Sequence, residues 1–185
     1  LWCYAESEDG FSWERPNLGL FAFDGSTENN ILFAAADAGS HYGYMNLMRD
    51  DRGDPAERYK AITIAGKFFV DGKPASREEV VKLRAAREAA GDAGEIGANI
   101  TSQMMILGGV SADGIHWKHL DEPIMQSPWL LDTQNILNFD EESGKYVIYL
   151  RSGHERRRAV SRYEAEDFRG PWGNHQMVLT AEPED

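Results

Sequence analysis

The stretch SADGIHW, Ser111–Trp117, has a near copy in SEDGFSW, Ser7–Trp13, and the two tryptophans stand 104 positions apart. A weaker third copy is SRYEAEDFRGPW, Ser161–Trp172, in which Asp167-Phe168 replace Asp-Gly. Aspartate accepts hydrogen bonds from the backbone just downstream of it, and glycine tolerates positive φ, so the phrase specifies a tight turn. The preceding serine is placed to bond across that turn, and the tryptophan is expected to fold back between sheets. Self-similarity at a fixed interval is the mark of a repeat architecture. From Asp113 to Asp167 the interval is 54 residues, the size of one four-stranded unit of a β-propeller. The phrase therefore reads as the outer hairpin of such a unit. It reports architecture and places no catalyst.

Outward from these turns, short runs rich in β-branched, aromatic or long apolar residues alternate with turn signals. They are Asn29–Ala36, Tyr42–Arg49, Arg58–Ile64, Ser102–Val110, Gln134–Phe139, Lys145–Ser152 and Arg157–Tyr163. Asn30-Ile31-Leu32 returns as Asn135-Ile136-Leu137 at an offset of 105, which predicts that Asn29–Ala36 and Gln134–Phe139 are the innermost strands of two successive units. Between residues 66 and 99 the period changes. Helix formers fill Ser76–Ala90, Ser76 and Glu79 form a capping box, and Gly91 is a plausible stop. The expected fold is all-β: residues 1–185 as a single, partial five-bladed propeller of about two to three blades. A short helical insertion at 66–99 would lie on its rim. The opening LWCYAES reads as the middle of a strand, so the chain is expected to be a segment of a longer one.

Composition narrows the partners. A formal charge of −12 disfavours nucleic acid and anionic membrane, both of which reward clusters of Lys and Arg. No apolar run approaches the roughly 18 residues that a bilayer span requires. The single cysteine, Cys3, excludes an internal disulfide and a cysteine-rich zinc site, and leaves the compartment open. Neither His41 nor His154 has a partner at metal-ligand spacing, and Asp50, Gly53 and Asp54 depart from an EF-hand loop. No metal and no cofactor are expected. A phosphate-binding glycine loop, HExxH and GxSxG are all missing from the sequence.

The ordered series AESEDGFSWERPNLG, GSTENNILF, DPAERYKAI, SADGIHW and LLDTQNILNFDEESGKYVIYLR resembles the five-bladed β-propeller glycoside-hydrolase-like proteins. These are the superfamily of arabinanases, levansucrases and invertases, and the resemblance is to its poorly characterised bacterial members. It implies a central funnel lined by the inner strand of each blade, a saccharide ligand, and catalysis by three carboxylates from different blades. The family's first-blade carboxylate motif has no counterpart in the chain, and two partial propellers closing one ring as a homodimer would supply the missing blades.

Residues at the entrances of the predicted inner strands would face that funnel. They include Glu28 and Asn30 in one unit, and Asp132, Gln134 and Asn135 in the next. The run RDDRGDPAERYK adds Asp50 and Asp54. Glycoside hydrolysis requires one carboxyl group to protonate the leaving oxygen and a second to attack or to activate water. Asp132 with Asp50 or Asp54 is the expected catalytic set. Arg151 would donate to sugar hydroxyls, with Glu155 and His41 as further pocket residues and Tyr42, Tyr44 and Trp129 as stacking platforms. Two other readings fit the same residues. One is a non-catalytic saccharide-binding propeller. The other is a glycoside phosphorylase that binds phosphate through the Arg and His residues near 151–158.

Overall fold

The computed structural model describes residues 1–34, 45–89, 100–129, 131, 134–155 and 157–181. Twelve strands and one α-helix form three antiparallel sheets among these residues, and none of the sheets closes on itself. Strands β1 (Trp2–Cys3) and β2 (Ile31–Phe33) pair with each other. The second sheet runs in the order β3 (Met45–Arg49), β4 (Tyr59–Val70), β6 (Ile100–Ser111), β7 (Trp117–His119). Here β5 (Lys73–Ala75) extends β4, and β8 (Met125–Ser127) pairs with β6. The third is a simple meander of β9 (Ile136–Asp140), β10 (Lys145–His154), β11 (Arg157–Ala165) and β12 (Gly173–Thr180).

The quoted phrase does at both of its full copies what its residue types dictate. Ser7 Oγ accepts from Gly10 N at 2.8 Å, and Asp9 Oδ1 accepts from Phe11 N and Ser12 N, each at 2.7 Å. Ser111 Oγ accepts from Gly114 N at 2.9 Å, and Asp113 Oδ1 accepts from Ile115 N and His116 N, each at 2.8 Å. Both glycines are left-handed, Gly10 at φ 77 and Gly114 at φ 79, where a Cβ would be strained. The pairing beyond the turn repeats too, since the Glu6–Glu14 bridge matches Val110–Lys118 after a shift of 104. The tryptophans depart from expectation. Each indole Nε1 donates to its own turn glycine carbonyl, 3.2 Å for Trp13 and 2.9 Å for Trp117. Trp13 is 63 % exposed, so its ring serves the turn and not an inter-sheet core.

Two further expectations change. The Asn-Ile-Leu triplets are not equivalent: Ile31–Phe33 returns to pair with β1, whereas Ile136 opens the third sheet. The strand that opens the second sheet is β3, and Ala35 and Ala36 lie outside the described residues. The insertion is also shorter than 66–99, because β4 and β6 stay in register from Tyr59–Ser111 out to Val70–Ile100. Phe68, Phe69 and Val70 are strong strand formers and continue the ladder. Helix α1 (Arg77–Ala89) then begins at the expected capping box, with Glu79 N donating to Ser76 Oγ at 3.1 Å and Ser76 N to Glu79 Oε2 at 2.7 Å. Val80 is its buried anchor, and Gly91 lies outside the described residues.

The second and third sheets pack face to face. Ile62 and Ile64 of β4 and Met104 and Ile106 of β6 meet Leu137, Ile148, Leu150 and Phe168 in one buried cluster. Phe168 is the residue that replaces glycine in the third copy of the phrase. It is 1 % exposed and points beneath Gly108, where an added Cβ would lie 3.3 Å from its ring. The departure from the phrase thus exchanges a turn residue for a core residue.

Candidate functional site

Strands β3 and β9 lie side by side at the seam between the two large sheets, where Leu137 N donates to Asn46 Oδ1 at 2.7 Å. The seam's two ends differ in chemistry. At the end where these strands begin stand Asn46, Gln134 and Asn135, and Arg151 is joined to them because its backbone N donates to Asn135 Oδ1 at 3.4 Å. Asn135 is buried, Arg151 is half-buried and Gln134 is exposed. A cavity of about 10 Å³ lies beneath them, between Asn46, Thr63, Gln134, Asn135 and the isoleucines 62, 64 and 106. That is room for about one water, so a larger ligand has to sit above the seam and not in it. The tips of the β4–β6 and β10–β11 hairpins project beyond this same end, the second carrying Glu155 at φ 48 in an exposed turn.

Asp50 and Asp54 lie at the opposite end. Asp50 follows the last residue of β3, four positions beyond Asn46, which is roughly 13 Å along an extended strand. Asp50 is 2 % exposed, and its carboxylate is fully engaged. Tyr146 Oη donates to Oδ2 at 2.5 Å, and Lys60 Nζ lies 3.0 Å from the same oxygen. Arg52 covers Oδ1, with its guanidinium at 3.0 Å and its backbone N at 3.1 Å. Arg52 also stacks on Phe139, 3.3 Å from the ring centroid, and reaches Glu141 at 2.8 Å. Burial pushes the Asp50 carboxyl up, but its bonds to Tyr146, Lys60 and the Arg52 backbone hold it below the usual carboxylate range. Burial, and then the bond to Asp50, raise the Tyr146 phenol. This is a clasp between sheets, with every acceptor position of the carboxylate used. Asp54 caps the short 3₁₀ turn Pro55–Glu57, accepting from Ala56 N at 2.9 Å.

The remaining expected residues divide clearly. Gln134, Asn135, Arg151 and Glu155 share the strand-entrance end. Glu28 and Asn30 belong to the neighbourhood of β2, where Asn30 Nδ2 donates to Tyr4 O and ties β2 to β1. Asp132, His41, Tyr42 and Tyr44 lie outside the described residues. Trp129 is half-buried and packs against the inter-sheet core. Sequence reading missed Asn46, a lone amide inside an apolar strand, and it missed Lys60 and Tyr146 as the partners of Asp50. Among the described residues no group of three or more His, Cys, Asp or Glu is arranged to hold a metal ion, and no helix is long and apolar enough to cross a membrane. Comparison with protein-family models, with curated proteins and with solved structures finds no match for the chain.

Proposed function

We propose that the two large sheets are consecutive blades of a five-bladed, glycoside-hydrolase-like β-propeller, and that the chain binds saccharide at the end where the inner strands begin. One observation carries the reading: the seam between the six-stranded and the four-stranded sheet has Asn46, Gln134, Asn135 and Arg151 at one and the same end. Carboxamides both donate and accept, and a guanidinium donates in a fixed fork, which suits the mixed donor and acceptor pattern of sugar hydroxyls. Hydrolysis at this end would rest on Asp132, two residues before Gln134 in sequence, as the attacking or water-activating carboxylate, with Glu155 as the acid. Binding without hydrolysis is favoured by a separate observation, the engagement of Asp50 in the clasp and of Asp54 in a cap.

The experiment is a calorimetric screen of the chain against neutral oligosaccharides, followed by aryl glycosides as hydrolysis substrates. The expected result is saturable binding that Gln134→Ala, a change at an exposed carboxamide, weakens by at least about tenfold, the loss of one or two sugar hydrogen bonds. Turnover abolished by Asp132→Asn with affinity retained would support the hydrolase. Saturable binding without turnover would support the binding propeller. No heat with any saccharide at millimolar concentration would sink both.

A further inference from the structure

The chain holds four Asp-Gly pairs, at 9–10, 24–25, 71–72 and 113–114. In such a pair the glycine N–H and the aspartate carboxyl stand one backbone rotation from closing a five-membered ring, because glycine puts no Cβ in the way. The local sequence makes the four alike, so the fold has to separate them.

At Asp9 and Asp113 the turn phrase occupies both reacting groups. Gly10 N donates to Ser7 Oγ and Gly114 N to Ser111 Oγ, and each aspartate Oδ1 accepts from the two backbone N–H groups beyond the glycine. Both carboxyls are also held below the usual carboxylate range, Asp9 by the Ser12 and Phe11 backbone and Asp113 by the His116 ring and backbone. An ionised carboxylate is the poorer electrophile, since it carries no hydroxyl to leave as water.

Asp71 and Gly72 form a two-residue turn with φ 51 and 75, closed by three register pairs between β4 and β5. Asp24 and Gly25 form a turn of the same kind, with φ 51 and 80. Its closure is the single Phe23–Ser26 bridge, whose two bonds measure 2.9 and 3.1 Å. Asp24 and Gly25 are both exposed, and among the described residues neither the Asp24 carboxylate nor the Gly25 N–H has a hydrogen-bond partner. The left-handed backbone of Asp24 is costly for a residue with a Cβ, so opening the turn relieves strain.

We propose that Asp24-Gly25 is a self-modification site at which the chain converts to isoaspartate, while the other three pairs are guarded by the bonds that hold them. Gly25 N attacks Cγ of the protonated Asp24 carboxyl. The N–Cγ bond forms, and the carboxyl hydroxyl leaves as water with the amide proton. The succinimide then takes up one water. Cleavage of the N–Cγ bond restores aspartate, whereas cleavage between N and the Asp24 carbonyl carbon leaves the backbone running through Cβ and Cγ. Mass is unchanged over the two steps, and neither needs an oxidant or a cofactor. The lengthened turn no longer fits the two-residue closure, so the Phe23–Ser26 bridge is lost.

The test incubates the full chain at mildly acidic pH, folded and in urea, and maps isoaspartate at each pair by electron-transfer fragmentation of its peptides. In the folded chain isoaspartate is expected to build up at Asp24 at least about tenfold faster than at Asp9 or Asp113, the effect of one or two further hydrogen bonds that must first open. Asp71 should fall between them. In urea the four rates should converge. Ser7→Ala, which frees the Gly10 N–H, should raise the rate at Asp9 and leave Asp24 unchanged. Equal rates in the folded chain, or a spread that persists in urea, would overturn the site. So would an Asp9 rate that Ser7→Ala leaves unmoved, because the guarding would then not rest on that bond.

Discussion

Removing the Asp50 carboxylate would leave Lys60, itself 5 % exposed, as a buried ammonium without its counter-charge. Breaking one side of a buried pair is expected to be expensive, so Asp50→Ala should lower unfolding stability by about 3–5 kcal/mol. Tyr146→Phe, which deletes a single hydrogen bond to the same oxygen, should cost about 1–2 kcal/mol. Urea unfolding of the two variants checks both values. The clasp also sets an acid limit. Because the folded carboxyl lies below its unfolded range, its contribution is fully present above about pH 4 and is lost as pH falls through the folded value. Asp50→Asn should flatten the acid limb of a stability-against-pH curve. None of this was legible in RDDRGDPAERYK. A carboxylate cluster looks the same whether it faces a substrate or a lysine, and Tyr146 stands 96 residues away in sequence.

At the scale of elements, the turn phrase was legible because each of its bonds is local and its residue types leave few alternatives. Gly114→Ala is expected to cost about 1–2 kcal/mol from left-handed strain alone, since its Cβ would meet only Tyr59 at an ordinary 3.7 Å. Thermal unfolding checks it, and an unchanged midpoint would mean that the turn relaxes. The Asn-Ile-Leu triplets show the limit of the same method. Three residues that favour strand say nothing about which strand will accept them, and Ile31 and Ile136 end up in unlike places. Strand β3 was found as a strand but not recognised as the one that opens a sheet, because its position is defined by β4 and not by its own sequence. The entrance cluster was half legible: Gln134 and Asn135 follow from adjacency in sequence, and Asn46 comes from a different sheet.

Between the sheets, Phe168 packs beneath a residue without a side chain. At Gly108 an added Cβ would fall 2.8 Å from Leu120 and 2.9 Å from Ile124, with Phe168 at 3.3 Å. Ile124 and Phe168 are buried and have little space in which to yield. Gly108→Ala should therefore destabilise by about 1–3 kcal/mol through overpacking. Loss of near-ultraviolet circular dichroism at lower denaturant than the wild type would show the seam opening, whereas an unchanged profile would mean that the neighbours repack.

The long β4–β6 ladder has a consequence for the order of events. Its strands are separated by residues 71–99, whereas β10 and β11 are separated by only two residues. Closing the longer connection costs about 2 kcal/mol more in chain entropy, to the extent that the intervening residues remain unstructured. The meander β9–β12 should accordingly form early and offer Leu137, Ile148 and Leu150 as a surface on which β4 and β6 are captured. In pulse-labelled hydrogen exchange during refolding, the amides of β10 and β11 should gain protection before those of β4 and β6. The half of the chain with the simpler topology would then act as the template for the other.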